Sequence, residues 1–188
     1  MEGIAAHCTA AEMEAALDHV RQAPSELGSV ALLVRRPDVD VREVLAEARL
    51  DTTCGLAGDT WERRPTRTGP DGGPDPECQL TVMNVRFAAL VARDPERIPL
   101  AGDQIYVDFD LSVANLPPGT RVAIGDAVIE FTPPRHTGCI KFVQRFGVEA
   151  QRFVNSPIGR DLRLRGANAR VVSGGIVRQG DAVRKLPG

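Results

Sequence analysis

Apolar residues in this chain recur in short runs with two different spacings. Near the N-terminus the spacing is helical. Thr9 followed by Glu12 is a capping-box signature, and Met13, Leu17 and Val20 then mark one face of a helix over residues 10–22, with Pro24 beyond its end. Its other apolar positions are mostly Ala, so the face is thin and suited to peripheral packing. Residues 30–34 form a continuous apolar run, the pattern of a buried strand. Asp40 with Glu43 reads as the cap of a second helix, with Val41, Val44, Leu45 and Ala48 on its apolar side.

From residue 79 onward strand spacing dominates. Residues 79–83 predict a strand, and Asn84 caps a short helix carrying Val85, Ala88, Ala89 and Val91. Ile105, Val107, Phe109 and Leu111 alternate with Tyr106, Asp108 and Asp110, which predicts a half-buried strand. Residues 121–124 and 127–132 flank a Gly125-Asp126 turn and predict a hairpin. Residues 148–154 predict a helix. Residues 169–173, Ile176-Val177 and Ala182-Val183 predict further short strands, parted by Gly174-Gly175 and Gln179-Gly180-Asp181. The fold class is therefore mainly β with α: a closed or partly closed barrel with two or three helices over its ends. No regular βαβ alternation is present, which argues against a doubly wound sheet.

One stretch fits neither spacing. Residues 55–78 are rich in Gly and Pro, from Gly55-Leu56-Ala57-Gly58-Asp59 to Gly69-Pro70-Asp71-Gly72-Gly73-Pro74-Asp75-Pro76. A loop of that length inside a compact domain is usually functional or disordered. Its start is expected to be ordered and its middle mobile. Trp61, Arg63 and Arg64 stand where a lid would present them, and residues 67–77 read as a solvated linker.

Charge changes the picture more than composition does. The chain has a net charge of -2, yet from Arg135 to the end 11 Lys and Arg face 3 Asp and Glu, a local +8 against -10 for residues 1–134. Most of these charges are expected to neutralise one another once the halves fold together. Arg152, Arg160, Arg163, Arg165 and Arg170 are the candidates for lining an anion site. With one Trp, one Tyr and six Phe, a stacking platform for single-stranded nucleic acid is not expected. No apolar run approaches a membrane span, and Glu12, Glu14 and Asp18 break any secretory signal region. The expectation is a cytoplasmic protein without nucleic-acid or membrane partners, its oligomeric state left open. The four cysteines, Cys8, Cys54, Cys78 and Cys139, form no C-x-x-C pair and fit free thiols.

Candidate chemistry centres on Arg135-His136-Thr137-Gly138-Cys139-Ile140-Lys141-Phe142. Positive charge near a cysteine favours the thiolate, so this segment reads as a presented, activated sulfur. A structural cysteine in a turn is the plainer alternative. His136 and Cys139 could pair for nucleophilic chemistry. His136 and Cys139 could also form half of a zinc site completed by Cys54 and Cys78. Gly55 to Gly58, Gly174-Gly175 and the run at 163–166 offer backbone N–H groups and arginines to a phosphate, although no phosphate-loop or dinucleotide fingerprint is present. Asp59, Asp103, Asp108 and Asp110 are possible acid/base groups but read more simply as solvent-facing carboxylates.

Taken in order, several of these pieces resemble one family. They are Gly55-Leu56-Ala57-Gly58-Asp59, Ala101-Gly102-Asp103-Gln104, Thr132-Pro133-Pro134-Arg135, Cys139, Arg165-Gly166, Val171-Val172, Gly175 and Gly180-Asp181. The set resembles the MOSC domain, the C-terminal module of molybdenum cofactor sulfurases that also occurs as stand-alone bacterial proteins. The resemblance implies a pyruvate-kinase β-barrel-like fold, with an N-terminal helical extension at 1–29 and a MOSC β-barrel domain at 30–188. It implies that Cys139 carries sulfur or ligates molybdenum. It further implies that Asp59, Arg135, Asn155 and Arg165, with the flanking His136 and Lys141, bind a molybdopterin-type cofactor.

In sulfurases the sulfur is mobilised by a pyridoxal-phosphate domain. Pyridoxal phosphate would accordingly act here only through a partner cysteine desulfurase. Other family members reduce amidoximes or N-hydroxylated bases with molybdenum on the cysteine, and such a role would require an external electron-transfer partner. Two departures stand out. Many members have Pro immediately before the cysteine, where this chain has Thr137-Gly138, and the family's Gly-Glu-Asn turn is Gly102-Asp103-Gln104 here.

Overall fold

A seven-stranded closed sheet organises the chain. The computed structural model describes residues 7–64 and 69–188. The strands are β1 (Leu27–Arg35), β2 (Glu43–Leu45), β3 (Glu47–Asp51), β4 (Gly55–Leu56), β5 (Leu80–Asn84), β6 (Ile105–Asp108), β7 (Arg121–Ile124), β8 (Ala127–Phe131), β9 (Ala167–Ser173), β10 (Gly175–Arg178) and β11 (Ala182–Lys185). The helices are α1 (Ala10–Ala15), α2 (Leu17–Arg21), α3 (Val85–Ala92), α4 (Ile140–Val154) and α5 (Pro157–Asp161). The order β11-β7-β8-β9-β5-β6-β1 closes where β1 pairs with β11, Gly28 opposite Val183. Closure leaves those strands without a free edge. β2 extends the sheet beyond β1, and β10, β3 and β4 form a small second sheet.

The barrel is mixed because β5 and β6 run parallel, Val82 opposite Ile105. Parallel neighbours need a crossover, which α3 and the 3-10 turn Pro95–Ala101 provide. Inside the barrel, Val82, Ile105, Val107, Phe109, Ile129 and Phe131 pack into one apolar core. The other faces of β5 and β6 carry Met83 and Tyr106 into a second core with Phe87, Phe142, Phe146 and Leu164. These two strands are therefore buried on both sides. The half-buried strand expected at Ile105 to Leu111 is corrected accordingly: Tyr106 lies beneath the helical layer, its hydroxyl donating to Ile98 O at 3.0 Å.

The second helix expected from Asp40 does not form; residues 43–51 are strands β2 and β3. Val41 and Val44 met helical spacing by coincidence and remain exposed, at 44% and 56%. Ala48 and Leu50 are buried between exposed Glu47 and Arg49, a period of two, and pairing with β10 decides the outcome over local propensity. The first helix is present with its reciprocal Thr9–Glu12 cap but breaks at Ala16 into α1 and α2. α4 begins at Ile140 rather than 148, with a kink at Gly147 (φ 90°) that hides its continuity from the pattern. Trp61 is buried and donates from Nε1 to Asp75 O at 3.2 Å, so it packs the loop down rather than presenting a lid. The mobile middle expected for that loop includes residues 65–68, which lie outside the described residues. None of the described helices is long and apolar enough to cross a membrane.

The closing seam is tight at Gly28. A Cβ there would stand 2.1 Å from Asp108 O and 2.8 Å from Phe109 Cδ2. Gly28→Ala is expected to destabilise the fold by about 2–3 kcal/mol through overpacking. A urea unfolding midpoint shifted to match would confirm it, and an unchanged midpoint would show that the seam can yield.

Candidate functional site

β8 leads into a strap, residues 133–139, that delivers Cys139 to the start of α4. Asn168 Nδ2 donates to Pro134 O at 3.0 Å and fixes the strap's first half. Its second half is clamped by Asn155 at the far end of α4. Gly138 N–H donates to Asn155 Oδ1 at 3.1 Å, while Gly138 O accepts from Asn155 Nδ2 and Gln151 Nε2, each at 3.2 Å. A Cβ on residue 138 would sit 2.9 Å from Val154 Cγ2, so glycine lets the strap lie close against α4. Cys139 then caps α4, its carbonyl accepting from Phe142 and Val143, and its side chain is exposed.

The thiol borders a cleft of about 340 Å³. Six cationic side chains line it: Arg36, Arg42, Arg64, Lys141, Arg145 and Arg165. Asp40 is the carboxylate among the described lining residues, which also include His136, Phe142 and Gly102. Two buried ion pairs aim the deepest cations. Asp59 binds Arg36 in a fork, Nε to Oδ2 and Nη2 to Oδ1, both 2.8 Å, and accepts from the Arg36 and Trp61 N–H groups as well. Asp103, without exposed surface, takes Arg165 Nη1 at 2.5 Å, while Arg165 Nη2 donates to Ala101 O at 2.8 Å. The Arg165 guanidinium also lies 5.0 Å from the centre of the Phe142 ring.

Burial alone would raise the Asp103 carboxyl, but the Arg165 guanidinium outweighs it and holds the group below the usual carboxylate range. Burial, followed by the nearby Arg165 charge, pushes His136 down, so its imidazole is neutral near pH 7. His136 Nδ1 stands 3.2 Å from Asp103 Oδ1 without hydrogen-bond geometry, and both atoms lack a hydrogen-bond partner. Burial, then repulsion from Arg145 and Arg36, lowers Arg42. Like charges crowded in this way are relieved by an anion. Arg42 and Arg165 each also keep a buried Nε–H without a hydrogen-bond partner.

Of the residues expected to form the site, Cys139, His136, Lys141 and Arg165 line this cleft. Arg135 lines a neighbouring hollow of about 260 Å³, with Arg160, Arg163 and Asn168. Asp59 and Asn155 line neither; they hold Arg36 and Gly138. Asp59 and Asp103, read as solvent-facing, are buried, because each neutralises an inward arginine. Asp108 instead pairs with Arg86 at 2.7 Å.

His136 turns to Asp103, and among the described residues no hydrogen bond joins it to Cys139. No group of three or more His, Cys, Asp or Glu among those residues is placed to hold a metal ion, so the zinc cluster with Cys54 and Cys78 does not form. Both of those thiols are half-buried, and burial followed by Asp75 pushes Cys78 up to about 11.

Arg170 pairs with Glu130, and Arg152 lies on the surface. Arg64, singled out with Trp61 and Arg63, lines the cleft, whereas sequence reasoning missed Arg36, Arg42 and Arg145 and read Asp40 only as a helix cap. The Lys141/Arg145 spacing of four on one helix was the available signal.

With this geometry in place, the comparisons assign the class. A model of the MOSC domain matches residues 79–184, more than half of the 188-residue chain. The chain belongs to the MOSC domain family. Among solved structures it is similar to APC1665, the YuaD protein from Bacillus subtilis, with a TM-score of 0.60 and 17% identity over 86% of this chain and 97% of that one. YiiM from Escherichia coli is similar with a TM-score of 0.54 and 21% identity over 85% and 70%. A third structure, titled only as a hypothetical protein, gives 0.59 and 20% over 86% and 68%. At these identities the likeness concerns the fold. No curated protein matches the chain.

Asp103→Asn would leave Arg165 buried beside a neutral partner, and it is expected to cost about 3–5 kcal/mol at pH 7. The lowered carboxyl contributes its stability above the unfolded value near pH 4 and loses it as pH falls through the folded value. Urea midpoints of the two proteins should thus converge in acid, and a constant difference down to the acid limit would contradict this assignment.

Proposed function

We propose that this MOSC protein holds a molybdopterin-type molybdenum cofactor in the cleft, with Cys139 as its sulfur ligand. The observation that carries this reading is one exposed thiol beside a hollow lined by six cationic side chains. Arg36, Arg42, Arg145 and Lys141 would bind the cofactor's phosphate, and the orphaned Nε–H groups of Arg42 and Arg165 suit an anionic guest. A thiolate is a soft donor, suited to a metal–sulfur centre. When bound, the cofactor would supply two-electron redox and sulfur chemistry. The chain's own part is to hold the phosphate, to aim Cys139 through the Asn155–Gly138 clamp, and to keep a neutral His136 at the wall. A cysteine desulfurase or a redox protein would be the partner, and pyridoxal phosphate would belong to the former. Either partner finds Cys139 at the surface.

The test is expression with molybdate in a host that makes the cofactor, followed by metal analysis and pterin fluorescence. Cys139→Ser should lower molybdenum retained per chain by at least about tenfold while leaving the urea midpoint unchanged. Equal loading of the Ser variant would overturn the assignment of the thiol. Turnover of an N-hydroxylated base or an amidoxime with an artificial electron donor, confined to loaded protein, would place the chain among reductases. Loading without turnover would favour a carrier.

A further inference from the structure

The cleft already contains an anion of its own. Asp40 Oδ1 and Oδ2 accept from Lys141 Nζ at 2.9 and 3.0 Å, and Oδ1 accepts from Arg145 Nη2 at 2.6 Å. These are two of the six lining cations. Asp40 sits on the connection between β1 and β2, in the left-handed region at φ 60°. Asp38 shapes that turn, its side chain accepting from Val39 N–H at 2.7 Å and its carbonyl from Val41 N–H at 3.2 Å. The turn lacks an apolar anchor at its tip, since Val39 is 70% and Val41 44% exposed. The Asp40 side chain is itself 55% exposed. Its carboxylate therefore tethers the tip to α4 by contacts that another anion can replace.

We infer that Asp40 is a resident counter-anion that sets the charge a ligand must carry to occupy the cleft. The inference rests on the cleft being an anion site, as proposed above. A monoanion that takes Lys141 and Arg145 from Asp40 exchanges one carboxylate for another and gains little. A phosphate-type dianion brings more charge and more acceptor oxygens to the same two cations, and it can also reach Arg42 and Arg36. Asp40 then moves the short distance to solvent. The ligand class selected is the phosphate monoester or diphosphate, against simple carboxylates.

The experiment is calorimetric titration at low ionic strength, where screening is weak. Pyrophosphate and acetate are the probes, on the wild-type chain and on Asp40→Asn. Asparagine tolerates the left-handed backbone, so the turn is preserved. Wild type should bind pyrophosphate and not acetate. Asp40→Asn should bind pyrophosphate roughly tenfold more tightly and acquire measurable acetate binding. Equal pyrophosphate affinity in both proteins would overturn the counter-anion role and leave the anion cleft standing. Weaker binding by the variant would overturn that role in favour of Asp40 organising the site. Absence of pyrophosphate binding in both would overturn the anion cleft and the inference together.

Discussion

Two carboxylates without exposed surface on their side chains, Asp59 and Asp103, govern where positive charge can lie in this protein. A guanidinium taken out of water is costly unless a partner with good geometry receives it. Asp59 meets Arg36 through two nitrogens, and Asp103 meets Arg165 while Ala101 takes the other nitrogen. The arginines are thereby fixed at the cleft floor and are not free to fold back to solvent. Both acids come from turns at the barrel's end, Asp59 after β4 and Asp103 just before β6. The sheet positions the turns, the turns position the acids, and the acids position the charge.

The thiol reaches this charge by a separate route. The 133–139 strap is held at Asn168 and again at Asn155, so one amide on β9 and one at the far end of α4 determine where that helix begins. Phe142, one turn into α4, is buried beneath Arg165 and ties that helix to the ion-pair layer. Lys141 and Arg145 flank Phe142 on the same helix and bring cations to the rim. Sulfur and rim cations thus share one segment, residues 139–145, while the floor cations Arg36 and Arg165 come from two others, and the three segments meet only in the folded barrel.

That dispersal explains what could be seen in the sequence. The hairpin of β7 and β8 and the cap of α3 by Asn84 depend on neighbouring residues and were legible. Cys139 was legible because its basic neighbours adjoin it in sequence. Asp103 was misread because nothing local distinguishes a turn carboxylate facing water from one facing Arg165, 62 residues away. The acidic front half disguised Arg36 and Arg42, whose charge looked cancelled in composition but is concentrated in space. Residues 43–51 misled in the opposite sense, since a helical spacing gave way to partners on β1 and β10.

The central claim is that Cys139 sits in a positive field that draws anions to its sulfur. The most direct measurement is the rate at which the native protein's four cysteines react with a dianionic aromatic disulfide, compared with a neutral disulfide, as salt is raised. The account predicts that Cys139 reacts first and that the anionic reagent is favoured at low salt. It also predicts that this advantage fades once the Debye length shrinks below about 10 Å, near 0.1 M salt. Equal rates for the two reagents, unchanged by salt, would contradict it.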